Sequence, residues 1–483
     1  LWSSTLGIDQ AIDQAFRPVS SAVFDAVFYS VSIGGAELPL IVIWLIAGAL
    51  FFTFYFRFIN LRGFMHAIRV VRGDEDEGDE PGEVSHFQAL ATAVSGTVGV
   101  GNIAHVAVAV SVGGPGAAFW MVVAGFLGMA SKFAECTLGV KYRQENPDGT
   151  ISGGPMFFLH KGLTGLGWPR LGRGLAIYYA ICIAGGSVGV GMFQANQAYV
   201  QFVTATGGTE SVAVGWGWLF GLGLAVLVGM VIMGGIQAIA RVTAKLVPLM
   251  AVIYVVTATY VILANAERIP SGLLAILHGA FQPQGIAGGA LGIITLGFRR
   301  AAYSNEAGIG SSSIAHSAVR TREPLTQGFV AMLEPFIDTI IVCSITALVI
   351  VTAFEPGSIG TGEINGVELT SSAFAQVVPW FPAVLSVVVF LFAYSTLITW
   401  SYYGLEGMIY LLGPHPAVRW SFNVFYCLCA ILGCTTTLAT ILDFSDSMIF
   451  AMAFANLLGL YFLAPGLRRD LNLYWARIQA RKG

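Results

Sequence analysis

The stretch Ala93-Val94-Ser95-Gly96-Thr97-Val98-Gly99-Val100-Gly101-Asn102-Ile103-Ala104 sets hydroxyls, an amide and the yielding backbone of three glycines inside an apolar run from Phe87 to Val112. In hydrocarbon every N–H and C=O needs a partner, and glycines so spaced make an unbroken helix a poor provider. Irregular backbone at membrane depth persists where it is buried in protein or lines a cavity, and its free groups there hold ions or substrate. A second interruption, Tyr303-Ser304-Asn305-Glu306-Ala307-Gly308-Ile309-Gly310, follows much later in the chain. Close helix packing by small residues is the plainer explanation. It does not account for Thr97 and Asn102 beside the glycines. Two broken spans in one chain are the pattern of a secondary transporter. No Walker, nucleotide, haem, zinc or hydrolase motif stands in the context it needs, so an enzyme is not expected.

The elements that must position these breaks are membrane helices. Hydrophobic residues make up 56% and charged residues 11% of the 483 positions, with a mean hydropathy of +0.75. Windows long enough to cross about 30 Å of hydrocarbon recur near 38–57, 87–112, 115–139, 174–203, 212–236, 242–264, 285–302, 326–352, 382–409, 420–440 and 444–465. The expectation is an all-α polytopic membrane protein of about 11 transmembrane helices. A net charge of -3 from few, scattered groups gives no reason to expect a nucleic-acid partner. The acidic run Asp74 to Glu80 reads as a solvated loop. Cys136, Cys182, Cys343, Cys427, Cys429 and Cys434 lie in apolar spans without ligating neighbours in sequence, which favours inert buried thiols over disulfides or zinc. The chain opens on Leu1 rather than methionine, which implies removal of something upstream, whether a cleaved signal peptide or trimming.

Basic residues orient the bundle. With Arg57 at the cytoplasmic end of the first span, all 24 lysines and arginines except Arg17 and Arg268 fall on the cytoplasmic side, with Lys132, Arg299 and Arg300 partly inside the bundle. The N-terminus is then outside and the C-terminus cytoplasmic. Setting the first span aside leaves two runs of five, each opening on a broken helix and running in opposite directions through the membrane. That is an inverted 5+5 repeat with its site at the midplane. The chain divides into 1–86 (periplasmic N-terminal segment, first helix, acidic cytoplasmic loop), 87–264 (first repeat), 265–284 (outer connection), 285–465 (second repeat) and 466–483 (cytoplasmic tail). Gly153 to Leu159 reads as a short interfacial helix and 355–380 as a polar outer loop that ends in a lid or packing helix. The segment Asp470 to Gly483 reads as an interfacial anchor.

Eight ordered stretches resemble the alanine or glycine:cation symporters, the sodium:alanine symporter family of the amino acid-polyamine-cation superfamily. They are Gly96–Ala104, Gly113–Met121, Lys132–Glu135, Gly153–Met156, Gln194–Asn196, Ser304–Gly310, Glu334–Thr339 and Thr396–Gly404. The resemblance implies a leucine-transporter-like fold and sodium-coupled uptake of a small neutral amino acid such as alanine or glycine. The setting would be the inner (plasma) membrane of a prokaryote, with sodium as coupling ion, no organic cofactor and no obligate protein partner. Val100 and His105 replace the family's usual threonine and glycine beside the site. A larger neutral amino acid such as glutamine is therefore the alternative substrate, and a passive channel the less favoured mechanism.

A zwitterion needs donors for its carboxylate and acceptors for its ammonium. Backbone N–H groups of Gly99, Val100 and Gly101 at a half-helix N-terminus suit the carboxylate, with the Asn102 amide and Gln194 beside it. Tyr303, Ser304, Asn305 and Gly308 bring the second break to the ammonium, and Thr396 and Trp400 wall the pocket one helical turn apart. The resemblance puts sodium between the first broken helix and a late core helix, on Ser95, Val98, Ser395 and Thr396. Back-bonded hydroxyls are the competing reading for these. Glu306 reads as paired with Arg299, Arg300 or freed backbone, and Glu135, Glu334 and Asp338 as paired with cations or helix ends. His105 either tunes substrate choice or pH response, or is a hydrogen-bonded core histidine.

Overall fold

A computed structural model describes residues 17–18, 20–33, 36–73, 80–147, 149–281, 289–354, 359 and 366–482. A helix stands over each apolar window. Helix α1 spans Leu40–Tyr55, and α2 (His86–Thr97) and α3 (Gly101–Gly113) share the second window. Next come α4 (Gly116–Lys141), α5 (Pro169–Ala205), α6 (Gly217–Ile232) and α7 (Gly235–Ala264). Then follow α8 (Ile269–Phe281), α9 (Gly289–Asn305) and α10 (Pro324–Ala353). The last four are α11 (Val367–Ala375), α12 (Phe381–Leu412), α13 (Pro416–Gly433) and α14 (Leu438–Lys482). Among the described residues 7 helices are each long and apolar enough to cross a bilayer, and α2 with α3 makes an 8th as a pair bent by 42°.

Local chemistry fixes several starts. Ser85 and Gln88 form a reciprocal capping box at the head of α2, with Gln88 N donating to Ser85 Oγ at 3.2 Å and Ser85 N to Gln88 Oε1 at 3.0 Å. Proline sits in the first turn of α5, of α13 and of the segment opening α10, where its missing N–H costs nothing. Helix α5 lies along α12 and α14, while α4 packs against both α9 and α10. These contacts bury the polar midsections and leave lipid-type side chains such as Val226, Met230 and Val252 exposed.

Several expectations change. Two small antiparallel hairpins, Ser30–Ile33 with Ala36–Pro39 and Gln144–Glu145 with Ile151–Ser152, interrupt an otherwise helical chain. The helical segment from Pro155 to Gly165 packs into the bundle, with Met156, Phe158 and Leu159 fully buried. The C-terminal tail continues α14 to Lys482, and the hydroxyl of buried Tyr474 lies 2.7 Å from His66 Nε2. The outer connection carries α8. Of the loop at 355–380, residues 355–358 and 360–365 lie outside the described residues; α11 after it is buried, with Thr370 Oγ1 bonded to Ile103 O at 3.2 Å. The acidic run at 74–79 also lies outside the described residues.

Arg299 and Arg300 pack beside the N-terminal segment. Arg299 stacks on Phe28 of the N-terminal segment at 4.1 Å, and both arginines face Asp446 near the start of α14. They therefore stand at the end of the bundle that carries the N-terminal segment.

Candidate functional site

The first break falls at 98–100. Val98 adopts an extended conformation, φ -78 and ψ 92, which stops α2 after Thr97, and α3 restarts at Gly101. A Cβ on Gly99 would come within 2.6 Å of Thr396 Oγ1 and 2.9 Å of Gln194 Nε2, so only a glycine lets the backbone approach α12 and α5 this closely. The freed amides have side-chain partners: Gly99 N donates to Asn102 Oδ1 at 2.9 Å and Val100 N to Gln194 Oε1 at 3.2 Å. Both acceptors are neutral, and a carboxylate could replace them.

Half a turn earlier, α2 and α12 exchange hydroxyls. Ser95 Oγ donates to Ser395 O at 2.8 Å and Thr396 Oγ1 to Ser95 O at 2.9 Å. Ser395 Oγ turns back to Phe392 O at 3.0 Å, the helical back-bond weighed above. Trp400 Nε1 donates to Gly96 O at 3.2 Å, one turn further along α12. The structure thus brings Ser95, Gly99, Val100, Gln194, Ser395, Thr396 and Trp400 together, with Val98 buried at the break itself. Hydroxyl and carbonyl oxygens dominate this cluster, the ligand type a hard monovalent cation prefers.

The second break begins later than its sequence span. Tyr303, Ser304 and Asn305 form the last turn of α9, and Glu306 turns the chain at φ +56, a left-handed conformation rare for such a residue. Gly308 and Gly310 continue at φ +89 and +93 before the short helix Ser313–Ser317. Gly308 does not reach the first break. Its N–H donates to Glu135 Oε1 at 2.6 Å, its carbonyl accepts from Asn456 Nδ2 at 2.9 Å, and a Cβ there would meet Leu45. Asn305 caps the turn, accepting from Ala307 N at 3.0 Å and donating to Thr339 Oγ1 at 2.9 Å. Tyr303 points the other way, its hydroxyl 2.9 Å from Ser445 Oγ.

Asn102 joins the two breaks. While Oδ1 holds Gly99 N, Nδ2 lies 3.1 Å from Ser304 Oγ and 2.5 Å from Asp338 Oδ1. Asp338 is fully buried and also accepts from Ser304 Oγ at 2.9 Å and Thr339 Oγ1 at 2.6 Å. Its partners are amide and hydroxyl donors rather than a lysine, arginine or helix end. Sequence reasoning left Asp338 out of the site. The available signal was a carboxylate within an apolar window, reinforced here by the π-helical turn Phe336–Cys343 that turns it inward.

Glu306 pairs with neither Arg299 nor Arg300, which are taken by Asp446 at 2.9 and 3.8 Å; it accepts instead from Ser311 Oγ. Lys132 Nζ lies 3.1 Å from Glu334 and also bonds Ser312 Oγ, while His316 bridges Glu334 and Gln327. Among the described residues the cysteines are free, and Cys136 does have ligating neighbours: with His316 and Glu334 it offers donor atoms within 4.8 Å of one another. The ammonium of Lys132 already supplies the positive charge there. His105 is buried with neither ring nitrogen hydrogen-bonded, so it is not a satisfied core histidine.

Comparison with known proteins identifies the family. The sodium:alanine symporter family matches residues 23–483. A sodium/alanine symporter, AgcS, of Methanococcus maripaludis is 35% identical over 88% of this chain and 92% of its own. A probable sodium/glutamine symporter, GlnT, of Bacillus subtilis is 30% identical over 92% of this chain and 89% of its own. Among solved structures a manganese transporter of Eremococcus coleocola covers 80% of each chain at 14% identity and a TM-score of 0.49, a likeness too slight to argue from. With a family match running almost the whole chain and two polar breaks in the stretches that carry it, the chain belongs to the sodium:alanine symporter family of membrane transporters.

Proposed function

We propose that the chain couples inward sodium movement to uptake of a small neutral amino acid such as alanine or glycine by alternating access. In this reading one N-terminal helix precedes two inverted five-helix repeats within an 11-helix bundle, oriented with the N-terminus outside a prokaryotic inner membrane. Substrate sits on Gly99, Val100, Gly101, Asn102, Gln194, Tyr303, Ser304, Asn305, Thr396 and Trp400, without Gly308, whose backbone is held by Glu135 and Asn456. Its carboxylate displaces the Asn102 and Gln194 oxygens from the freed amides of the first break. Asp338 joins this set through Asn102 and Ser304. Sodium takes the oxygens of Ser95, Val98, Ser395 and Thr396.

The observation that carries the reading is the paired break: two backbone interruptions linked by Asn102, one of them closed only by neutral side-chain acceptors. The name of the Bacillus relative favours glutamine as a second candidate substrate. Reconstituted into liposomes, the protein should concentrate radiolabelled alanine under an inward sodium gradient and fail to do so when potassium replaces sodium. Equal equilibration without concentration in both salts would mean a passive facilitator instead.

A further inference from the structure

His105 lies on the first turn and a half of α3, three residues beyond Asn102 and close after the first break. Its ring is 1% exposed, and neither Nδ1 nor Nε2 has a hydrogen-bond partner. The other buried histidines differ: His66 meets Tyr474, His86 meets Gln327, and His316 meets Gln327 and Glu334. A buried polar atom left without a partner is disfavoured, so an unpaired imidazole close after the first break points to a ligand group as its partner.

The surroundings say where that partner sits. A Cβ placed on Gly101 would meet only His105 Nδ1, in ordinary contact at 3.8 Å, so this nitrogen faces the first turn of α3 where the first break ends. Tyr303 and Phe193 flank the imidazole at centroid distances of 4.1 and 5.0 Å and fix its plane. Gln194, next to Phe193, holds Val100 N on the same side. Arg300 and Arg299 act on the ring through space, but Asp446 engages both guanidiniums, and no carboxylate bonds the ring.

We infer that His105 is a specificity-determining ligand that reads the side chain of a neutral amino acid carrying a hydroxyl or carboxamide. An uncharged imidazole offers one donor and one acceptor, and those two groups present both in return. A methyl or hydrogen side chain presents neither and leaves the ring unpaired. The inference rests on the symport reading above and deepens it from a small neutral substrate to a polar one.

The test is calorimetric titration of the detergent-solubilised protein in sodium with L-alanine, L-serine and L-glutamine. Wild-type protein should bind serine or glutamine more tightly than alanine. H105F, which keeps an aromatic ring without polar atoms, should erode that preference about ten- to a hundredfold, and H105Q should restore part of it. A preference for alanine in the wild type, or an H105F variant with unchanged selectivity, overturns the assignment. Should H105F not fold, nitrogen-15 shifts of histidine-labelled wild-type protein read the same contact. The ring assigned with H105Q must move on adding serine or glutamine and stay still with alanine; indifference to all three overturns it. A wild-type protein that binds no amino acid sinks the symport reading itself, whereas binding without side-chain preference sinks only the role of His105.

Discussion

The two breaks solve one backbone problem with opposite chemistry. At the first, Gly99 N and Val100 N rest on the neutral oxygens of Asn102 and Gln194, while Ser95 Oγ donates to Ser395 O and Ser95 O accepts from Thr396 Oγ1. At the second, Gly308 N rests on Glu135, Ser311 on Glu306, and Lys132 on Glu334, every one of them buried. A buried ion pair such as Lys132 with Glu334 is costly to break, while neutral hydrogen bonds exchange more readily for a ligand. In the proposed function the second break is a fixed frame and the first is the side at which ligands trade places with side chains. Asn102 links the two through its bonds to Ser304 and Asp338.

The largest effect should come from breaking the frame. Lys132→Met leaves Glu334 buried without its cation, which costs about 3–5 kcal/mol. A fluorescence melt in detergent should fall steeply. A wild-type melting temperature would mean that charge does not hold the second break. Gln194→Ala should do the reverse, weakening amino-acid affinity about five- to a hundredfold through the loss of one polar contact worth about 1–3 kcal/mol while moving the melt little. Titration reads it, and unaltered affinity would remove Gln194 from the ligands. The smallest change is Thr396→Val, nearly the same shape without the hydroxyl. Stability should drop about 0.5–1.5 kcal/mol, and the sodium concentration needed for half-maximal substrate binding should rise. A sodium dependence identical to wild type would leave Thr396 as helix packing.

Particular residues show how far the sequence could be read. Gly99 could be singled out because a glycine beside Val98 and Thr97 weakens a helix wherever it lies. Gln194 and Thr396 stood out as polar interruptions of apolar windows. The pairing of Glu306 with Arg299 or Arg300 failed for a different reason. Proximity in sequence does not fix the direction of a side chain at a turn, and the left-handed φ of Glu306 sends its carboxylate to Ser311 while the arginines, about two turns earlier on α9, meet Asp446. Asp338 was visible as an intramembrane carboxylate, but its orientation comes from the π-helical turn, which nothing in the local composition marks. Gly308 was assigned to the site on its permissive backbone, yet Glu135 and Asn456 draw it into the frame.

The amino-acid order alone decided the medium and the places where the helices give way. Hydropathy sums along a chain, and a segment's ability to satisfy its own backbone is a property of a few neighbouring residues. Tertiary structure decided which group answers each opened amide or buried charge. Those partners lie far apart in the chain, Asn102 with Asp338 and Glu135 with Gly308, and they meet only because packing fixes the rotation and depth of every helix at once.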